Sequence, residues 1–174
     1  QAENASLALA TVLNLGKRDG FKIEEMVVRK ALEEAHFIGR MDLIEVKGKK
    51  VIIDGAHNAQ KMGALLKSLK EIYPEEKFNF LVSFKIGKDF KAMMKQIIPE
   101  AKRITITCFG TEIQDLVHRS VETKEIEKVC HELKFKDYEM VVELKEAFSK
   151  AIKDEEGVLV VTGSLYFVGD VYNL

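Results

Sequence analysis

The chain has 174 residues, 47% of them hydrophobic, which is enough for one domain with a real core but too little for two full domains. Its 27 basic and 28 acidic residues nearly cancel, which excludes the excess charge that favours binding to nucleic acid or to an anionic membrane surface. No stretch approaches the roughly 18 consecutive apolar residues of a membrane span, and the amino end lacks a signal-peptide pattern. We therefore expect a soluble, cytoplasmic and monomeric protein.

The first part of the chain is predicted to be helical. Apolar residues recur at helical spacing from Ala2 to Leu15, where Gly16 supplies a stop, and a second amphipathic helix fits Ile23–Ala35. After Gly39-Arg40 the spacing of the apolar residues changes from that of a helix to that of a strand. We therefore predict a helical lead-in over residues 1–38 and an α/β domain over residues 39–174.

Strand and helix patterns alternate through the rest of the chain. Short runs rich in β-branched and aromatic residues predict six strands, which are Met41–Val46, Val51–Ile53, Asn79–Phe84, Arg103–Thr107, Met140–Val142 and Val158–Thr162. Amphipathic stretches predict the intervening helices, which are Ala59–Glu71, Lys88–Ile98, Lys124–Leu133 and Leu144–Ile152. This alternation predicts a Rossmann-like α/β fold, with a mostly parallel sheet of about six strands covered by helices on both faces and preceded by the two helices.

A polar turn follows the second predicted strand and consists of Asp54-Gly55-Ala56-His57-Asn58. It stands at the carboxyl end of a strand, which is where open α/β sheets bind ligands. Asp54 could accept hydrogen bonds from a ribose or an ammonium group, or it could cap the helix that begins near Asn58. His57 could serve the same site or could simply hydrogen-bond its own loop. The block as a whole favours a functional site.

A second turn of this kind, Thr162-Gly163-Ser164-Leu165-Tyr166, follows the last predicted strand. Backbone N–H groups at a helix start, together with the Ser164 hydroxyl, suit a carboxylate or a phosphate. Helix capping by Ser164 is the alternative. Because the carboxyl ends of parallel strands meet at one edge of a sheet, we expect both turns to open on the same edge.

Two basic residues could bind anions at that edge. Arg40 stands at the entrance to the first strand, and its planar guanidinium suits bidentate binding of phosphate. Lys88 lies at the start of the predicted helix Lys88–Ile98, shortly after a predicted strand, and could approach an anion. A solvated surface position is the alternative for both side chains.

Several common motifs are absent from the sequence. It contains no GxxxxGK[ST] loop, so it lacks the usual cradle for the phosphates of ATP. The absence of GxGxxG after a strand argues against a self-contained dinucleotide site, and no serine sits in a GxSxG elbow. The histidines and cysteines show no metal-type spacing. We therefore predict free thiols and no metal ligands within this chain.

Taken in order, these motifs resemble the carboxy-terminal domain of folylpolyglutamate synthase and dihydrofolate synthase, members of the Mur ligase superfamily. The likeness spans nearly the whole chain and rests on Gly39-Arg40-Met41-Asp42, the turn at residues 54–58, Gly163-Ser164-Leu165-Tyr166 and the opening segment Gln1-Ala2-Glu3-Asn4-Ala5. The segment Phe84–Asp89 departs from the corresponding loop of the family and keeps only its final Lys88-Asp89 pair, so the role of the Lys85–Asp89 loop stays open.

The resemblance implies a ligase that uses ATP to phosphorylate a folate or dihydropteroate carboxylate, and then joins L-glutamate to it through the acyl phosphate. By motif, Asn4, Arg40 and Asp54 would bind ATP, with Arg40 near its phosphates. Asp54, His57 and Ser164 would bind glutamate, and His57 would have a catalytic role. Mg²⁺ would be bound mainly by an amino-terminal P-loop domain that is missing here, so we predict that this chain alone is inactive as a ligase.

Two other functions fit the same motifs. The chain could be a stand-alone module that binds a nucleotide or an amino acid without catalysis. It could also belong to a Mur ligase that builds peptidoglycan precursors, although the two turns at residues 54–58 and 163–166 together fit the folate branch better.

Overall fold

The computed structural model describes residues 2–113, 116–153 and 157–174. The chain divides into two compact units between Phe37 and Ile38. The first unit is helical and contains α1 (Ala2–Asp19) and α2 (Glu25–Glu34). Its assignment to the end of an ATPase domain stays a prediction.

The first helix continues past its predicted end at Gly16. Gly16 lies inside α1, where a Cβ atom would come within 2.8 Å of the carbonyl oxygen of Phe21. Gly20 has a φ of +77°, and its N–H donates to the Gly16 carbonyl at 2.9 Å. Gly20 therefore ends the helix in the left-handed conformation that glycine adopts easily, while Gly16 allows the chain to return close to the helix.

The second unit is an α/β domain. Its strands are β1 (Asp42–Val46), β2 (Lys49–Asp54), β3 (Phe78–Val82), β4 (Ala101–Ile106), β5 (Gly110–Ile113), β6 (Leu116–Arg119), β7 (Tyr138–Met140) and β8 (Leu159–Thr162). Its helices are α3 (Ala59–Ile72), α4 (Phe90–Ile97), α5 (Thr123–Glu132), α6 (Leu144–Lys153) and α7 (Leu165–Tyr172), with a 3-10 turn over Ile98–Glu100.

The main sheet of the described residues has six strands in the order β1-β2-β8-β3-β4-β7. β1 runs antiparallel to β2, and every other pairing is parallel. The last strand of the chain, β8, is inserted between β2 and β3, and all four of its residues are buried. This architecture confirms the predicted mostly parallel α/β fold.

Helices cover both faces of the sheet. One core contains the buried side of α3, α4 and α5 with Val160, and the other contains the buried side of α6 and α7 with Val161. Successive residues of a strand point to opposite faces, so a strand buried on both sides must be apolar throughout. This burial explains the uninterrupted apolar run Val158–Val161.

Two features of the domain differ from the sequence prediction. The antiparallel hairpin of β5 and β6 was not predicted, and β7 begins two residues before the strand expected at Met140–Val142. Both elements are short or contain few apolar residues, so their periodicity is weak. Within the described part of the chain, no helix has the length and apolar character that crossing a membrane would require.

Candidate functional site

The two polar turns lie together at the carboxyl edge of the sheet, as expected. The ends of β2, β8 and β3 are in register, with Asp54 opposite Thr162 and Thr162 opposite Val82. The loops that follow these three strands therefore start side by side. Two glycines then allow these loops to pack closely.

Each glycine occupies a position where a side chain would collide with the neighbouring loop. A Cβ atom on Gly55 would lie 2.2 Å from Cδ2 of Leu165, at the start of α7. Gly163 has a φ of +122°, and its Cβ would lie 2.4 Å from the carbonyl oxygen of Ser83, just after β3. The loop after β2 thus contacts the loop after β8, and the loop after β8 contacts the end of β3.

Asp54 is a buried carboxylate at this edge. Only 7% of the residue is exposed, and its Oδ2 accepts a hydrogen bond from the Met41 N–H at 2.9 Å. Burial raises the pKa of the Asp54 carboxyl, and the Met41 hydrogen bond and the charges of Arg40 and Lys61 counter that rise in part. The site therefore contains an anion that is costly to bury and is held by a neighbouring backbone segment.

The interpretation of Asp54 as a helix cap is wrong. The N-cap of α3 is Asn58, whose side-chain oxygen accepts from the Lys61 N–H at 2.9 Å. Asn58 has extended backbone angles, as an N-cap residue normally does. Asp54 is consequently available to organise the segment around Met41 and to interact with a ligand.

Arg40 is placed beside Asp54 by a strained backbone segment. It lies between Gly39, with a φ of +70°, and Met41, with a φ of +49°. The Gly55 N–H donates to the Gly39 carbonyl at 2.8 Å, so this segment is tied to the turn after β2. The half-buried Arg40 is close enough for its charge to favour the ionised form of Asp54.

His57 is held in one tautomer by the groups around it. Its Nδ1 lies 2.8 Å from the Gly55 carbonyl oxygen, which can only accept, so Nδ1 carries the hydrogen. Its Nε2 lies 3.1 Å from Nζ of Lys61, one turn along α3, and accepts from that ammonium group. The bond to its own loop was the alternative considered from sequence, and it is present; Lys61 was not foreseen.

Ser164 is the N-cap of α7. The residue is 1% exposed, and its Oγ accepts from the Tyr166 N–H at 3.3 Å. The observed hydrogen bond therefore confirms that Ser164 caps the helix, which was the alternative considered from sequence. Capping and ligand binding are compatible here, because other N–H groups in the first turn of a helix have no partner within the helix.

Two basic side chains flank the turn at Ser164 and were missed by the sequence reasoning. The His118 ring of β6 stacks on the Tyr166 ring, with centroids 3.9 Å apart, and the Lys85 ammonium lies 4.8 Å from the centre of the Tyr166 ring. The antiparallel bridge between Lys85 and Ser120 brings the hairpin to this position. No local pattern in the sequence relates Lys85, His118 and Tyr166.

Asn4 lies in α1, in the helical unit, and its part in nucleotide binding stays a prediction. Among the described residues, no group of three or more His, Cys, Asp or Glu side chains could hold a metal ion. Cys108 and Cys130 are free thiols, as predicted.

Comparison with known proteins identifies relatives along nearly the whole chain. The dihydrofolate synthase/folylpolyglutamate synthase of Bacillus subtilis is 25% identical over 171 residues, covering 98% of this chain and 38% of the relative. The folylpolyglutamate synthase of Lacticaseibacillus casei is 23% identical over 172 residues, covering 98% of this chain and 37% of the relative. The chain thus spans less than two fifths of the length of these curated relatives.

Solved structures of folylpolyglutamate synthases are also similar to this chain along nearly its whole length. The folylpolyglutamate synthase of Thermotoga maritima is 27% identical with a TM-score of 0.74, covering 98% of this chain and 37% of that one. The Mycobacterium tuberculosis folylpolyglutamate synthase, solved in complexes with ADP and AMPPCP, is 21% identical and shares the fold with a TM-score of 0.84, covering 99% of this chain and 39% of that one. A family model described as dihydrofolate synthetase, C-terminal domain, matches residues 40–174. The resemblance carried by the motifs is therefore confirmed, and the chain belongs to the family of dihydrofolate synthetase C-terminal domains.

Proposed function

We propose that this chain is the carboxy-terminal part of an ATP-dependent ligase that adds L-glutamate to a folate or to dihydropteroate. The observation that carries the proposal is the convergence of Arg40, Asp54, His57 and Ser164 at one edge of the sheet, in a domain of this family. A P-loop domain elsewhere in the same enzyme would complete the site.

We assign ATP binding within the α/β domain to Arg40 and Asp54, and Asn4 of the helical unit is assigned to ATP by motif alone. The Arg40 guanidinium offers two parallel N–H donors to the phosphates, which a lysine could not match in geometry. The Asp54 carboxylate is suited to accept hydrogen bonds from a ribose hydroxyl or an ammonium group. Mg²⁺, when bound, would neutralise the negative charge that develops on the phosphates, and its ligands would come mainly from the P-loop domain.

The glutamate half is assigned to Asp54, His57 and Ser164. The first turn of α7 offers backbone N–H groups to a carboxylate, and Lys85 and His118 both contact the ring of Tyr166 in that turn. At His57, Nδ1–H is held by the Gly55 carbonyl, so Nε2 presents a lone pair. Nε2 would accept a hydrogen from the ammonium group of glutamate in the position where it now accepts from Lys61.

The proposed reaction has two bond-forming steps. First, a carboxylate oxygen of the folate attacks the γ-phosphorus of ATP, and ADP leaves. Next, the ammonium group of glutamate gives up one proton, the resulting amine attacks the acyl carbon, and phosphate leaves. The nitrogen then loses a second proton and keeps one hydrogen as the amide N–H. In this scheme Arg40 orients and stabilises the phosphates, while Asp54 and His57 orient the amine and His57 assists removal of a proton.

The decisive assay joins this chain to its P-loop domain and measures glutamate incorporation with a folate and with dihydropteroate. Loss of a charge-assisted hydrogen bond costs about 1.5–3 kcal/mol, so Arg40→Ala should raise KM for ATP by roughly 10- to 100-fold. Arg40→Lys should recover only part of that loss. His57→Ala should instead raise KM for glutamate and lower kcat.

Lys102→Ala is the charge-matched control, because Lys102 is exposed near the amino end of β4, at the opposite edge of the sheet. An Arg40→Ala enzyme with an unchanged KM for ATP would refute the nucleotide assignment. The 174-residue chain without the P-loop domain should show no ligation. Ligation by that chain alone would show that the site is complete without a further domain.

A further inference from the structure

Arg40 sits in a backbone segment that would not hold its shape unaided. The residues on both sides of it have positive φ, and one of them, Met41, carries a Cβ atom that makes the left-handed conformation unfavourable. Such a conformation persists only when surrounding contacts impose it. The direction in which Arg40 leaves the chain therefore depends on those contacts.

Tyr172, the last residue of α7, links the two ends of this segment. Its hydroxyl oxygen accepts from the Gly39 N–H at 3.2 Å and donates to Oδ2 of Asp42, the first residue of β1. One phenol oxygen thus joins the residue before Arg40 to the second residue after it. The bonds between Gly55 N–H and Gly39 and between Met41 N–H and Asp54 complete the attachment.

The environment of this link favours a neutral Tyr172 phenol that donates to the Asp42 carboxylate. Asp42 is 5% exposed, so its carboxylate gains more from an O–H donor than an exposed carboxylate would. Burial, followed by the hydrogen bond to Asp42, raises the pKa of Tyr172 to about 12. The phenol therefore keeps its hydrogen and remains a donor throughout the neutral pH range.

We propose that Asp42 and Tyr172 are positioning residues of the ligase, which hold the segment at residues 39–42 so that the Arg40 guanidinium meets the phosphates of ATP. This inference rests on the proposed function, because it gives the pair its purpose through Arg40. Neither side chain needs to touch a substrate. A misplaced Arg40 guanidinium keeps its charge but can no longer form two parallel hydrogen bonds to a phosphate. Loss of the Asp42–Tyr172 pair should therefore weaken nucleotide binding and slow phosphoryl transfer.

The test uses Tyr172→Phe in the ligase that contains both this chain and the P-loop domain, because the change removes a single oxygen atom. We expect KM for ATP to rise about tenfold while KM for glutamate stays within about twofold. Tyr138→Phe is the matched control, since the Tyr138 hydroxyl also donates to a carboxylate, Glu127 at 3.1 Å, but on the far edge strand β7. That control should keep the kinetics of the wild type.

Further variants separate positioning from a loss of stability. Asp42→Asn keeps an acceptor oxygen and should retain more ATP affinity than Asp42→Ala. Adding Tyr172→Phe to Arg40→Ala should raise KM for ATP no further than Arg40→Ala alone, because the pair acts only through Arg40. Equal rises in both KM values, or additive effects in the double variant, would overturn the inference.

The outcomes also distinguish this inference from the proposed function. If Arg40→Ala leaves KM for ATP unchanged, the nucleotide assignment itself is wrong. If Arg40→Ala raises KM for ATP and Tyr172→Phe does not, the nucleotide assignment stands and only the role of Asp42 and Tyr172 is refuted.

Discussion

Gly163→Ala tests whether the close contact between the turns after β8 and β3 is a requirement of the fold. A residue with a Cβ atom at a φ of +122° is strained by about 1–3 kcal/mol. The new atom would also lie 2.4 Å from the Ser83 carbonyl oxygen and 2.9 Å from the Phe84 ring, so buried backbone must move, at a further cost of about 1–3 kcal/mol. We expect a total loss of about 2–6 kcal/mol, a large part of the roughly 5–15 kcal/mol that stabilises a typical protein.

The measurement is urea and thermal denaturation of the chain, followed by circular dichroism. For a protein of this size, each kcal/mol shifts Tm by roughly 2–4 °C, so Gly163→Ala should melt roughly 5–20 °C lower. Gly169→Ala is the control, because Gly169 lies inside α7 with no atom within 4 Å of its added Cβ, and it should gain about 0.5–1 kcal/mol. The reasoning is refuted if Gly163→Ala is as stable as the wild type, or if both variants shift alike.

Two further changes test the turn after β2. Asn58→Ala removes the cap on the Lys61 N–H and should lower the free energy of unfolding by about 1 kcal/mol in urea denaturation, whereas an unchanged value would show that the cap contributes nothing. Asp54→Asn should stabilise the domain at about pH 7 while impairing the ligase. Because burial raises the pKa of Asp54 above 3.8, the folded state holds the proton more tightly than the unfolded chain, and this carboxyl destabilises the fold as pH rises through its folded-state pKa. The advantage of Asp54→Asn should therefore vanish near pH 3.8 in denaturation curves taken at several pH values; a variant less stable than the wild type at about pH 7 would contradict this.

The order of the elements and the positions of the motifs were predictable from local patterns. The apolar run Val158–Val161 indicated a strand buried on both faces, and β8 is the fully buried centre of the sheet. The predicted start of a helix at Ala59 is also correct, because the capping residue Asn58 immediately precedes it. Such signals depend on residues only a few positions apart, so they survive in the sequence without knowledge of the fold.

The hairpin of β5 and β6, in contrast, could not be predicted from local patterns. Its described strands contain few apolar residues, and its importance lies in carrying His118 to the ring of Tyr166 and in the bridge to Lys85. These contacts join parts of the chain that are distant in sequence. Nothing in the spacing around any one of these residues indicates the other two.

Local patterns in the sequence are sufficient to establish an α/β domain with two polar turns after buried strands, and the motifs in those turns indicate its family. The folded structure was needed to show that Asn58 rather than Asp54 caps α3, and that Tyr172 bonds to Asp42 across 130 positions of the chain. The physical reason is the range of the interactions involved. Periodicity and capping are set by neighbours within one or two turns, whereas the insertion of β8 between β2 and β3, and the packing of layers that follows from it, bring distant residues into contact.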